Sequence, residues 1–180
     1  MTSGVEKVYA EALYELAAET GEKERLFDEL MGLAKIFSDN PGLCDVLQAP
    51  TVTNEEKYTM LKNIFGGRIS QTAYNFLCVL AGKGRARHME GIAEEYKKMW
   101  YAENNIMDVT VTSVRPLSAD QRRRLADKLS ASYGKRIVMT EKIDPSIMGG
   151  LKVTCGDRML DGSVKTKLNE LRSSMKNARA

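Results

Sequence analysis

At Asn104-Asn105 the spacing of the apolar residues changes, and this change constrains the fold more than any other feature of the chain. Upstream, apolar side chains recur three and four residues apart, the spacing of a helix with one buried stripe. Downstream, Met107, Val109 and Val111 alternate with Asp108, Thr110 and Thr112, the period of a strand with one buried face. A chain of 180 residues is one large domain or two small ones. The switch in period favours two: a helical part over residues 1–105 and a mixed part over 106–180. The hydrophobic content of 43% is enough for packed cores, while only 7% aromatic residues leave those cores to Leu, Met, Ala and Val.

The helical part reads as six amphipathic helices. Ser3 and Glu6 make a capping box for the first, which carries Val8/Tyr9, Ala12/Leu13 and Leu16/Ala17 and ends at Gly21. The second presents Leu26, Phe27, Leu30, Met31, Ala34 and Phe37 up to the break at Asp39-Asn40-Pro41-Gly42. A short third carries Leu43, Val46 and Leu47. Thr53 and Glu56 cap a fourth, with Tyr58, Leu61, Ile64 and Phe65, which stops at Gly66-Gly67. A fifth runs from about Ser70 through Leu80 to Gly82, and a sixth from about Arg87 to Trp100. Helices of these lengths with short breaks predict an antiparallel bundle.

The mixed part starts with the strand around Val109. Pro116 ends it, and Ser118 with Gln121 caps a helix bearing Leu125 and Leu129 that stops at Gly134. A second strand spans Arg136 to Ile143. The next stretch packs several turns into few residues: Asp144-Pro145 breaks the strand, and Gly149-Gly150 permits φ > 0 or a close backbone approach. Leu151 to Cys155 alternates, Gly156-Asp157 supplies hairpin turn chemistry, and Arg158 to Leu160 is the return strand. After Asp161-Gly162, Ser163 caps a helix with Val164, Leu168, Leu171 and Met175 on one stripe. The expected fold is therefore mainly α, a six-helix N-terminal bundle followed by a small α+β domain.

Catalytic chemistry finds few parts. His88 is the single histidine and reads as a surface or capping side chain. Triads that use His and mixed Cys/His metal sites cannot be assembled around it. Glu55-Glu56 and Glu94-Glu95 are adjacent pairs that diverge on a helix. The glycines near residue 150 precede a strand, whereas a phosphate cradle needs glycines leading into a helix. Cys44, Cys78 and Cys155 are odd in number and widely spaced, which argues against a disulfide framework and fits a reducing compartment. Cys78, among apolar neighbours, reads as a buried small hydrophobe. No apolar run approaches the roughly 20 residues that span a bilayer, and MTSGVEKVYA resembles neither a signal nor a transit peptide. A cytosolic, soluble, non-enzymatic chain of bacterial type, with no cofactor and no metal, is expected.

Two stretches could bind a partner. The first helix is apolar or small beyond one stripe, so it is either centrally buried or lines a groove. The last helix sets Lys165, Lys167, Arg172, Lys176 and Arg179 beside its apolar stripe, as a solvated face, a nucleic-acid contact or a docking site. An RNA- or DNA-binding module is the alternative function, supported by that helix and by the basic corner Lys83-Gly84-Arg85-Ala86-Arg87. The net charge is only +3, and no aromatic-studded strand accompanies those cations.

The ordered set Gly149, Gly150, Gly156, Asp157, Asp161, Gly162, Ser163, Lys167, Leu168 and Leu171 resembles the C-terminal signature of the ATP synthase delta subunit family, which includes the mitochondrial oligomycin-sensitivity-conferring protein. Tyr9 to Ala17 is similar to that family's opening helix, Pro50 to Phe65 to its fourth, and Asn75-Phe76-Leu77 with Leu80, Ala81, Gly84 and Arg85 to its fifth and the following turn. The resemblance thus covers essentially the whole chain. It departs at the Lys83–Arg87 corner, where the family more often has an acidic or neutral residue before its Gly-Arg. The resemblance implies a non-catalytic subunit of a rotary proton-translocating ATP synthase. Such a subunit is peripheral on the cytoplasmic face of the bacterial membrane and links the alpha/beta catalytic head to the peripheral stalk. It implies a groove between helices one and five, lined by Tyr9, Ala12, Leu13, Asn75 and Val79, that accepts the N-terminal helix of an alpha subunit, with beta subunits nearby. It also implies docking of the stalk's b subunits on Lys165, Lys167, Leu168, Leu171 and Arg172, and no nucleic acid.

Overall fold

The computed structural model describes residues 4–156 and 158–168. The chain divides into two compact units, Met1–Trp100 and Tyr101–Ala180, so the division falls within a helix rather than at Asn104-Asn105.

The first unit is built from α1 (Gly4–Thr20), α2 (Lys23–Asp39), α3 (Pro41–Gln48), α4 (Asn54–Phe65), α5 (Gln71–Gly82) and α6, whose span is Met89–Glu103. A turn of 3₁₀ helix, Ala86–His88, leads into α6. Local chemistry sets these boundaries. Thr53 and Glu56 close a reciprocal capping box at the start of α4. The Ser70 hydroxyl accepts from the Ala73 amide at the start of α5. That same hydroxyl donates to Glu29 Oε2 at 2.5 Å, and the Ser70 amide donates to Glu29 Oε1 at 2.9 Å, so the cap also ties α5 to α2. The box expected at Ser3 lies outside the described residues.

One core runs through all six helices, with Leu30, Leu61, Leu80, Ile92 and Tyr96 essentially without solvent contact. The buried Tyr96 hydroxyl donates to the Lys23 carbonyl, and the Tyr96 ring meets Tyr14 edge to face at 5.1 Å. Phe27 stacks on Trp100 at 4.4 Å. Several core positions differ from the expected ones. In α1 each apolar doublet splits, with Leu13 and Ala17 buried and Val8 and Leu16 exposed, and Ala10 joins the core. Leu33 and Ala73 are buried too. Val46 and Tyr58 stand partly in solvent, and Cys78 is half-buried rather than buried.

The second unit centres on a four-stranded sheet of β1 (Ile106–Ser113), β2 (Arg136–Ile143), β3 (Leu151–Cys155) and β4 (Arg158–Asp161), in the order β2-β1-β3-β4. The helix α7 (Ala119–Tyr133) connects β1 to β2, which pair in parallel; β1–β3 and β3–β4 are antiparallel. α7 starts at the Ser118–Gln121 capping box and stops where Gly134 adopts φ +64°. Its Leu129 packs with Val109, Val111, Val153 and Cys155, the alternate residues of one sheet face. Glu141 of β2 accepts from Arg122 of α7 and from the Leu117 amide, fastening the helix start to the sheet edge. These bonds hold the Glu141 carboxyl below its ordinary range, the Arg122 contact most of all. Residues 164–168 are helical. Val164 and Leu168 of the expected apolar stripe are both exposed there; Leu171 and Met175 lie outside the described residues.

Candidate functional site

α1 carries an exposed apolar row. Val8, Ala12 and Leu16 sit four residues apart and therefore share one face; Val8 is 64% exposed and Leu16 43%. On α5, Val79 is 45% exposed and Asn75 is exposed one turn away. Tyr9 brings the two helices together: its ring meets Phe76 of α5 edge to face at 6.3 Å. Arg85 Nη1 donates to the Tyr9 hydroxyl at 2.9 Å, and its guanidinium lies 5.6 Å from the ring centroid. Of the five expected groove residues, Ala12, Asn75 and Val79 are exposed, Tyr9 is half-buried and Leu13 lies in the core at 5% exposure. The Asn75 side-chain carbonyl already accepts from Gln71 Nε2 at 2.8 Å. Val8 and Leu16 add to the exposed face. Their signal was the four-residue spacing through Ala12, which fits an outward row as well as an inward one.

The basic corner is tied down. Arg85 holds Tyr9, and Arg87 Nη2 contacts Asp45 Oδ1 of α3 at 2.9 Å across an exposed pair. His88 Nδ1 lies 2.9 Å from Glu6 Oε1 of α1, partly exposed.

The C-terminal signature residues converge on one another. Gly149-Gly150 and Asp161-Gly162-Ser163 are far apart in sequence yet meet backbone to backbone. The Val164 amide donates to the Gly149 carbonyl and the Gly162 amide to the Leu151 carbonyl, both at 2.9 Å. Gly150 has φ +81°, and a Cβ there would stand 2.3 Å from the Gly162 carbonyl oxygen. Asp161 accepts from the Ser163 amide and the Thr166 hydroxyl, each at 2.9 Å, and pairs with Lys152 Nζ at 3.1 Å. These bonds, the Ser163 amide first, hold the Asp161 carboxyl far below its ordinary value. Ser163 is fully buried, and its hydroxyl accepts from the Thr166 amide at 3.3 Å. Gly156 turns the hairpin with φ +56°. The hydrogen bonds and the ion pair described in this knot run among neighbouring residues of the second unit, which is the chemistry of a structural joint. Lys165, Lys167 and Leu168 are exposed beside it; Asp157, Leu171 and Arg172 lie outside the described residues. Among the described residues no cluster of His, Cys, Asp and Glu suits a metal, and no helix is long and apolar enough to cross a membrane.

The model of the ATP synthase delta (OSCP) subunit family matches residues 5–175, from the start of α1 to beyond the knot. The chain belongs to the ATP synthase delta (OSCP) subunit family. It is 32% identical over 171 residues to the ATP synthase subunit delta of Clostridium kluyveri, covering 95% of this chain and 94% of that protein. It is 35% identical over 171 residues to that of Clostridium perfringens, covering 95% and 96%. Its fold matches a chain of the Toxoplasma gondii mitochondrial ATP synthase hexamer with a TM-score of 0.74 at 21% identity, over 96% of this chain and 98% of that one. Delta-family membership favours a structural subunit of ATP synthase over a nucleic-acid-binding module and over an enzyme with an active site of its own.

Proposed function

We propose that this chain is the non-catalytic clamp of a rotary ATP synthase, holding the alpha/beta catalytic head to the peripheral stalk so that rotor torque cannot spin the head. The finer assignments belong to the same reading. The six helices act as one bundle whose α1/α5 face takes the amphipathic N-terminal helix of an alpha subunit. The C-terminal unit takes the b subunits of the stalk, and the assembly sits on the cytoplasmic face of a bacterial membrane during ATP synthesis.

The observation that carries the reading is the exposed row Val8, Ala12 and Leu16 on α1, beside α5 and its exposed Val79. A helix that keeps three apolar or small side chains in water beside its buried stripe of Ala10, Leu13 and Ala17 has surface to spare for a partner helix. Small Ala12 at the centre of the row permits close approach, and helix-in-groove binding needs anchors at such spacing.

Titration of the full chain with a peptide of the alpha subunit's N-terminal segment tests it. Ala12→Asp is expected to weaken binding about tenfold or more, because it leaves a carboxylate unpaired under the docked helix. Ala12 is exposed, so the variant's melting temperature should stay within a few degrees of the parent. Unchanged affinity in a folded variant would sink the assignment of this face.

A further inference from the structure

The exposed face shared by α1 and α5 carries charge at both ends, with opposite signs. The two helices run antiparallel. The Thr72 hydroxyl at the start of α5 reaches Glu22 Oε2, just past the end of α1, at 3.5 Å, while Arg85, past the end of α5, holds Tyr9 in the first half of α1. On α5, Asn75, Val79 and Lys83 follow one another at four-residue intervals. The Lys83 amide still donates to the Val79 carbonyl at 3.1 Å, so the exposed Lys83 extends the row of Asn75 and Val79 by one turn. On α1, Glu15 and Glu19 come three and seven residues after Ala12 and keep to its side of the helix; both are exposed. The face therefore has a cation at the end where α1 begins and two carboxylates at the end where α1 stops. Those carboxylates are unfavourable for α1 itself. They repel each other across one turn, and they stand towards the C-terminal end, where the helix dipole favours cations. The last turn of α1 holds no basic residue to offset them. A cation supplied from outside would.

We propose that Lys83 and the pair Glu15/Glu19 fix the direction and register of the helix docked on this face, which lies along α1 with an acidic end on Lys83 and a basic end on Glu15 and Glu19. The inference rests on the docking face proposed above and adds the chemistry that its occupant carries. The apolar row Val8, Ala12 and Leu16 alone would accept a helix in either direction, because apolar contact is non-directional. Opposite charges at the two ends tell the directions apart, since the reversed helix sets like charge against like. A helix is most stable with acids in its first turn and cations in its last. The docked helix therefore begins at Lys83 and runs parallel to α1. Exposed charges of this kind govern partner choice and association rate more than the depth of affinity, which stays with the apolar row.

Calorimetry of the full chain with the N-terminal segment of its own organism's alpha subunit is the test, repeated with that peptide after charge reversal at one end or the other. Lys83→Glu is expected to weaken binding about fivefold, and Glu15→Lys/Glu19→Lys about as much. The native affinity should fall as salt rises. Replacing the acids at the start of the peptide by Lys should restore binding to Lys83→Glu and not to the Glu15/Glu19 variant; replacing the cations at its end by Glu should do the reverse. The three side chains are exposed, so circular dichroism melts should stay within a few degrees of the parent. Should a reversal unfold the chain, Lys83→Gln and Glu15→Gln/Glu19→Gln carry the same comparison, at about twofold each. An alpha segment without acids at its start or cations at its end would overturn the inference before any titration. Charge variants that bind like the parent, or rescue by the opposite end of the peptide, would overturn it too; the docking face then stands as long as Ala12→Asp weakens binding. If the parent does not bind the peptide, or Ala12→Asp binds as the parent does, the docking face falls and takes this inference with it.

Discussion

The two units reach a defined structure by different means. The first buries a continuous core of large side chains contributed by six helices, and its polar contacts, such as Glu29 on Ser70, pin elements that packing already brings together. The second has a small core, with Val109, Val111, Leu129, Val153 and Cys155 as its buried members among the described residues. Backbone geometry supplements it there: the Gly149-Gly150 turn locked on Gly162-Ser163, with Asp161 holding three donors. A large apolar core tolerates polar surface changes, whereas a knot of close backbone contacts depends on single atoms. Glycines and one aspartate should therefore do in the second unit what leucines do in the first.

The largest expected effect is in the helical core. Leu30 has no solvent contact, so Leu30→Ala should destabilise the first unit by about 4 kcal/mol, through lost transfer energy plus a cavity. Residue-resolved hydrogen exchange should record the loss in α1, α2 and α5. Gly150→Ala tests the other side of the contrast at about 3 kcal/mol. It adds one methyl group, but that methyl meets the Gly162 carbonyl in a backbone conformation that strains any L side chain. Protection should fall in β3, β4 and the 162–164 turn. If Gly150→Ala leaves their exchange unchanged, the knot is not what holds this region.

Acid gives the smallest and most selective effect. Glu141, Asp144 and Asp161, all in the second unit, have carboxyls held below their ordinary values by hydrogen bonds to the charged form; in the first, Glu56 is similarly lowered by its capping bonds to Thr53. A depressed carboxyl contributes stability that is complete above its unfolded value and lost as pH falls towards the folded one. For Asp161 the decline begins near its ordinary value of 3.8 and continues below it. The strands of the second unit should therefore lose exchange protection at a higher pH than the core of the first. Asp161→Asn should flatten part of that dependence while removing the Lys152 pair. Equal acid sensitivity of Asp161→Asn and the parent would show that the knot does not depend on this charge.

Much of this was legible from local chemistry. The capping boxes at Thr53/Glu56 and Ser118/Gln121, the stop at Gly134 and the alternation through Val109 and Val111 each specify their element with residues adjacent in sequence. What was not legible depends on partners distant in sequence. Adjacent apolar doublets in α1 do not say which member faces inward; packing against the other helices turned Leu13 and Ala17 in and Val8 and Leu16 out. Leu13 could be read as a groove residue because its burial is a property of the assembled core. The turns at Gly149-Gly150 and Asp161-Gly162-Ser163 were readable separately, but their mutual contact joins segments more than ten residues apart.

The most direct test of the clamp is reconstitution. Purified alpha/beta head and the soluble stalk segment are mixed with and without the full chain and resolved by size-exclusion chromatography. The account predicts that head and stalk co-elute only when the chain is present, and that Ala12→Asp leaves the chain with the stalk while releasing the head. Co-elution without the chain, or an Ala12→Asp chain that bridges as well as the parent, would contradict it.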